Sequence, residues 1–283
     1  MSVKKASFRV KLILFPLFIV PRPLKKLISY LLVLIWFYVL KLRVKETVAR
    51  VKMIFPDKSE KECRKIAFDS FYNLTLVLFE YSYLPFSKNK IYKYTEVEGY
   101  EILDEALKGD RPVFIFAGHL ANGEILLSRM CYDNKKVRLI AKRVGNGFIN
   151  KILFEIREVC GLKHIPPKNA LKDISETVRE KAPIVFLYDQ YKGPPKGVET
   201  TFLGVKTYTN PSVALFASKY NAVVIPAVMF RKKSKSVLKF EAPIPFEKKF
   251  ANNHENCAYM AQIYNDWLSE KLMQQPAGWM WIN

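Results

Sequence analysis

Apolar residues recur along this chain in two rhythms. Over 59–83, Ile66, Phe68, Phe71, Leu74, Leu78 and Tyr81 return at helical spacing, which predicts one long helix with a broad apolar face. Ser59 followed by Glu62 has capping-box spacing, and Pro85 ends the segment. A shorter helix is predicted over 101–108, stopping at Gly109. Short apolar runs then alternate with helical stretches. Strands are predicted at 113–117, 137–141, 184–188, 222–229 and 237–241, and helices from Glu124, over 148–160, 170–180, 212–220 and 254–274. Such alternation predicts an α/β fold with a sheet that is largely parallel in its middle. The stretch 191–210, with Lys192, Gly193, Pro194, Pro195, Lys196 and Gly197, reads as a long loop, a kind that in compact domains is usually functional or disordered.

The first 45 residues follow neither rhythm. Two apolar stretches, 12–20 and 27–40, are bracketed by Lys4, Lys5, Arg9, Lys11, Arg22, Lys25, Lys26, Lys41, Arg43 and Lys45, and the first acidic residue is Glu46. Ten basic residues of a chain whose net charge is +20 therefore sit in its first sixth. Neither stretch reaches the ~20 apolar residues of a comfortable membrane span. Flanking lysines, with Trp36, Phe37 and Tyr38 near one end, suit a membrane interface. No small-residue cleavage site follows, since the next residues are Lys41-Leu42-Arg43-Val44-Lys45, so a secretory signal is not expected. The reading is an anchor over 1–45, attracted to an anionic membrane surface, and a domain over 46–283.

A charge of +20 would also suit a nucleic-acid-binding protein. The densest charge brackets apolar segments instead, and no nucleic-acid motif occurs, so no such partner is expected. The four cysteines, Cys63, Cys131, Cys160 and Cys257, have no Cys-x-x-Cys spacing and no nearby histidine ligand spacing; neither a disulfide framework nor a metal site is expected. The chain has no phosphate loop, no dinucleotide fingerprint and no Gly-x-Ser-x-Gly elbow, so a serine hydrolase is disfavoured.

The candidate chemistry lies at Gly118-His119-Leu120-Ala121-Asn122-Gly123-Glu124, between the strand 113–117 and the helix that follows. Open α/β sheets place their chemistry at the carboxyl ends of strands. On one regular helix, side chains five residues apart would diverge by about 140°. With His119 in the turn and Glu124 in the first helical turn they can converge, as a pair able to take a proton from a hydroxyl. Asp189-Gln190 ends the strand 184–188, on the same sheet edge if the strands are parallel.

His-x-x-x-x-Glu after a strand resembles the motif of the bacterial lipid A biosynthesis (lauroyl/myristoyl) acyltransferases, relatives of the glycerolipid and phosphatidylinositol mannoside acyltransferases. Further blocks are similar: Phe55-Pro56-Asp57-Lys58-Ser59, Glu98-Gly99, Asp110-Arg111-Pro112, Lys142-Arg143-Val144-Gly145-Asn146, Asp189-Gln190 with Gly193, Phe202-Leu203-Gly204, and Pro276-Ala277-Gly278-Trp279-Met280-Trp281. The resemblance covers roughly residues 25 to 283. The motif departs at two residues: the family's Gly-Asn-Trp-Glu reads Ala121-Asn122-Gly123-Glu124 here, without the aromatic beside the acid. The resemblance implies a glycerolipid-acyltransferase-like sheet flanked by helices, at the inner membrane with the catalytic domain facing the cytosol. It implies acyl transfer from an acyl carrier protein thioester, or acyl-CoA, to a hydroxyl of a membrane glycolipid, without a cofactor. A lipid A precursor leads as acceptor; phosphatidylinositol mannoside and lysophospholipid are alternatives, and a thioesterase would use the same dyad on water. His119 would be the general base, a role worth typically ~10²–10⁴-fold. Glu124 would orient its imidazole, as acids do in hydrolase triads. Arg143 would meet an oxyanion or a substrate phosphate, with Asn146, Asp189, Gln190, Phe202 and Gly204 lining the substrate site.

Overall fold

The computed structural model describes residues 6–133, 135–141, 147–167, 170–232 and 235–282. Seven strands form one sheet in the order β1-β9-β8-β2-β5-β3-β4: β1 (Thr95–Glu98), β2 (Val113–Ala117), β3 (Arg138–Ile140), β4 (Lys163–Ile165), β5 (Ile184–Leu187), β8 (Val223–Lys232) and β9 (Lys235–Phe240). Every pairing is parallel except β8 with β9. The fold is thus the expected α/β type, mostly parallel and covered by helices on both faces.

β2 lies in the middle, between β5 and β8, and all five of its residues are buried. Alternation splits them between two layers. Val113 and Ile115 pack with Leu103 of α6 (Tyr100–Lys108), Leu126 of α7 (Gly123–Tyr132) and Ile156 of α8 (Gly147–Val159). Phe114 and Phe116 pack with Ile174 of α9 (Ala170–Arg179), Val213 of α10 (Ser212–Tyr220) and Tyr264 of α11 (Asn253–Gln274). A strand buried on both faces reads as a continuous apolar run, as Val-Phe-Ile-Phe-Ala does.

The long helix α4 (Glu60–Tyr81) begins with the capping box expected of Ser59 and Glu62. Helix α5 (Lys88–Tyr94), β1 and β4, all short, were not anticipated from the pattern. Residues 191–210 correct the loop expectation: they contain an antiparallel hairpin, β6 (Val198–Phe202) with β7 (Val205–Thr209). Leu203 and Gly204 both have positive φ, 51° and 79°, which is what a two-residue type I′ turn requires. The Pro/Gly cluster at 193–197 obscured two short runs of β-branched and aromatic residues.

At the amino end, α1 (Phe8–Ile19) is followed by α2 (Arg22–Leu34), which continues as a π-helical turn, Ile35–Leu40. Together Arg22–Leu40 form a 19-residue helix with an 18-residue window of mean hydropathy 1.6, long and apolar enough to cross a bilayer by length and composition. One side lies along α4: Lys25, Ser29, Val33 and Phe37, spaced four apart, are buried. The other side and α1 leave Leu12, Phe15, Leu24, Leu27, Leu31 and Ile35 exposed. Helix α3 (Val44–Ile54) connects to α4 and packs with it around Trp281 from the carboxyl end.

Candidate active site

The site follows from the register of two strands. β2 and β5 run parallel with Ala117 opposite Leu187, and the Tyr188 amide donates to the Ala117 carbonyl at 2.9 Å. Two residues further along each chain stand His119 and Asp189. His119 Nδ1 lies 2.6 Å from Asp189 Oδ1, and the His119 backbone amide donates to Oδ2 at 2.8 Å. The Trp279 indole N–H donates to the same Oδ2 at 2.7 Å. Three donors thus hold a carboxylate whose side chain is 2% exposed. With Nδ1–H donating to Asp189, the network assigns the tautomer that leaves the Nε2 lone pair free.

The turn carrying His119 is built tightly. A Cβ on Gly118 would meet Leu268 Cδ1 of α11 at 2.9 Å, so any side chain there would push Leu268 aside. Ala121 takes a left-handed φ of 54°, and Asn122 caps α7 through bonds from the Glu124 and Ile125 amides. The carboxyl segment closes over the turn: the Ala121 amide donates to the Gly278 carbonyl at 2.8 Å, and Leu120 bridges to Trp279. Behind it, Asn122 Nδ2 donates to Glu80 Oε2 at 2.8 Å, and Glu80 is paired bidentately with Arg231.

Glu124 is engaged elsewhere than the sequence reading expected. Its Oε2 accepts from Arg157 Nε at 2.8 Å and its Oε1 from Arg157 Nη2, and the Tyr81 hydroxyl lies near it. The imidazole's hydrogen-bonded acid is Asp189. Arg157, which sequence reasoning missed, looks in the chain like an ordinary basic residue in the last turn of α8.

The charges follow from these partners. Burial lowers the His119 pKa, but the Asp189 carboxylate and its hydrogen bond outweigh burial and hold it above the usual histidine value. Burial raises Asp189, and the imidazole, the indole N–H and the His119 amide more than reverse this, leaving it below the usual carboxylate range. Burial, and then the neighbouring Glu124, push the Tyr81 hydroxyl well above its ordinary value. His164, beside Phe154, is pushed down to about 4, first by burial and then by Arg157, and stays neutral.

Two cavities adjoin the strip Tyr188–Gln190. One, of about 360 Å³, is lined by His119, Ile140, Leu153, Phe154, Arg157 and Gln190 among others. The other, of about 430 Å³, is lined by Asp189, Gln190, Tyr191, Phe202, Asn265 and Trp279 among others. Of the residues expected at the site, His119, Asp189, Gln190 and Phe202 are thus brought together. Gly204 serves the hairpin turn and lines neither cavity. Arg143 and Asn146 lie outside the described residues. Among the described residues no cluster of His, Cys, Asp and Glu could hold a metal ion.

Fold and pair define a class: α/β proteins that set a carboxylate-held histidine at the carboxyl edge of a parallel sheet, next to space for substrates. Within that class the assignment is specific, because the profile of the family described as bacterial lipid A biosynthesis acyltransferase matches residues 4–283, and the chain belongs to that family. It is a family of acyltransferases that act on lipid substrates and are typically membrane-associated. No curated protein matches the chain closely enough to add to this.

Proposed function

We propose that this protein transfers a fatty acyl chain from an acyl carrier protein thioester, or acyl-CoA, to a hydroxyl of a membrane glycolipid, with a lipid A precursor as the leading acceptor. The observation that carries the reading is the 2.6 Å contact between His119 Nδ1 and Asp189 Oδ1. An alcohol has a pKa far above 7 and needs a base as it attacks, and Nε2 of His119 is placed to take that proton. Asp189 keeps Nδ1 protonated and stabilises the imidazolium as it forms. The hydroxyl oxygen attacks the thioester carbonyl, the carbon–sulfur bond breaks, and the imidazolium returns its proton to the departing thiolate; no covalent enzyme intermediate is needed.

Arg157 lines the cavity beside His119 and brings positive charge to where the thioester oxygen becomes negative. Glu124 holds that guanidinium in a fixed fork, so its part in the reaction is to position Arg157. Arg143 remains a candidate for a substrate phosphate. Two cavities sharing Tyr188 and Gln190 give a transfer reaction room for both donor and acceptor.

The exposed apolar sides of α1 and α2 support monotopic attachment at the cytosolic face of the inner membrane, since the opposite side of α2 is taken up by α4. Anionic lipids add about 1 kcal/mol per basic residue near the surface, and a basic face steers an acidic acyl carrier protein. The test is to give membranes containing the full-length protein a labelled acyl carrier protein. Label in lipid supports the proposal; label only in free fatty acid would make the protein a thioesterase.

A further inference from the structure

A smaller cavity, of about 170 Å³, lies apart from the two beside Asp189, between α2, α4, β8 and β9. Five basic residues line it, Arg22, Lys25, Lys26, Arg231 and Lys235, against one acid, Glu80. Glu80 is already neutralised by the bidentate bond from Arg231, at 2.6 and 2.9 Å. Lys235 pairs with Glu96. Among the described residues, Arg22, Lys25 and Lys26 have no carboxylate within ion-pair distance.

Lys25 is the informative one. It is 2% exposed and lies on the side of α2 that meets α4, where an apolar residue would continue the stripe of Val33 and Phe37. Its ammonium stands 4.2 Å from the Tyr83 ring centre. Its hydrogen bond, to Ser82 Oγ, is long at 3.5 Å, while Ser82 Oγ donates its own proton to the Phe79 carbonyl at 2.5 Å. An ammonium has three protons to place, and the one acid near Lys25, Glu80, is already shared with Arg231, so this buried cation is short of counter-charge, which is unfavourable. A dianionic group in the cavity would supply the missing charge and acceptors. The neighbourhood says what carries it: Leu24, Leu27 and Leu31 of the same helix are exposed and apolar, so acyl chains would pack outside while a headgroup reaches in. A phosphate monoester brings nearly two charges and three free oxygens, matching a buried point charge and the fork of Arg22.

We propose that this cavity binds the phosphate monoester of a lipid headgroup, with Lys25 as its buried cation and Arg22 and Lys26 at its sides. The site goes beyond the acyl-transfer reading and does not require it, because binding is measured without turnover. It touches the catalytic turn through one hydrogen bond, from Asn122 to Glu80.

The test uses the full-length protein in non-ionic detergent, titrated with short-chain phosphatidic acid, phosphatidylcholine of the same chain length, and inorganic phosphate. Binding is read by native mass spectrometry and by thermal unfolding, for wild type, Lys25→Met and, as an exposed control, Lys61→Met. Phosphatidic acid should bind at least tenfold more tightly than phosphatidylcholine and raise the Tm. Lys25→Met should lose at least tenfold in that affinity and the rise in Tm, while Lys61→Met keeps both. Unliganded Lys25→Met should melt no lower than wild type, since an apolar chain of similar length replaces an uncompensated cation; a merely structural lysine would give a lower Tm with binding unchanged, and that result overturns the proposal. Phosphatidic acid affinity undiminished in Lys25→Met overturns it too. Lys25-dependent binding of inorganic phosphate as tight as that of phosphatidic acid would overturn the lipid assignment in favour of free phosphate.

Discussion

Asp189→Asn separates the geometry of this site from the arrangement its sequence suggests. Asp189 Oδ2 accepts from two donors, the His119 amide and the Trp279 indole, whereas Oδ1 meets only His119 Nδ1. An asparagine at this position has one oxygen and one NH₂. Two hydrogen bonds outweigh one, at roughly 0.5–1.5 kcal/mol each, so the amide turns its oxygen to the two fixed donors. Its NH₂ then faces Nδ1 and selects the tautomer with the proton on Nε2, which has no lone pair for the substrate hydroxyl. The lost charge adds to this: two unit charges ~4 Å apart at an effective dielectric of ~20 attract by ~4 kcal/mol, and every ~1.4 kcal/mol is tenfold in rate. Together these give an expected fall in kcat/KM of ~10²–10⁴-fold with the fold intact.

The pH profile carries the sign. In the wild type Asp189 holds the His119 pKa above the usual histidine value, so the neutral base accumulates, and the rate rises, as pH climbs through that raised pKa. Without the carboxylate, burial and Arg157 act on His119 unopposed by it, and the acid limb of the residual activity should move to lower pH. The assay is the initial rate of acyl transfer from acyl carrier protein to membrane lipid across a pH series. Asp189→Asn within threefold of wild type, with folded Glu124→Gln inactive, would refute the reasoning and make Glu124 the partner of the base in the working enzyme.

Other outcomes follow from the same structure. His119→Ala should lower turnover at least ~10²-fold without unfolding the protein, read by single-turnover transfer and circular dichroism. Glu124→Gln leaves the Arg157 guanidinium buried and uncompensated and should destabilise the protein by ~3–5 kcal/mol in urea unfolding, far more than a surface charge would. Gly118→Ala should lower the Tm, because its Cβ would press within 2.9 Å of Leu268; an unchanged Tm would show that α11 gives way without cost. High-salt washing should not release the full-length protein from membranes, since the exposed faces of α1 and α2 are apolar; clean release would make the attachment electrostatic only.

What the chain determines by itself here is local. The apolar run 113–117, the glycine-led turn after it and the Ser59/Glu62 box each lie within a few residues, and short-range sterics and hydrogen bonding settle them, so they could be read directly. Periodicity likewise marked the helices, and the alternation of strands and helices marked the sheet as α/β. Choices between distant partners were left to the tertiary structure. Glu124 is five residues from His119, yet α7 turns it to Arg157, 33 positions away, while strand register sets Asp189, 70 positions away, against the imidazole. A carboxylate has several possible cations and donors along a chain, and its own neighbourhood in sequence cannot rank them; packing ranks them by deciding which ones share a water-poor space. The same holds for Lys25, one of ten basic residues before Glu46 in the sequence and a buried cation only because α2 lies along α4.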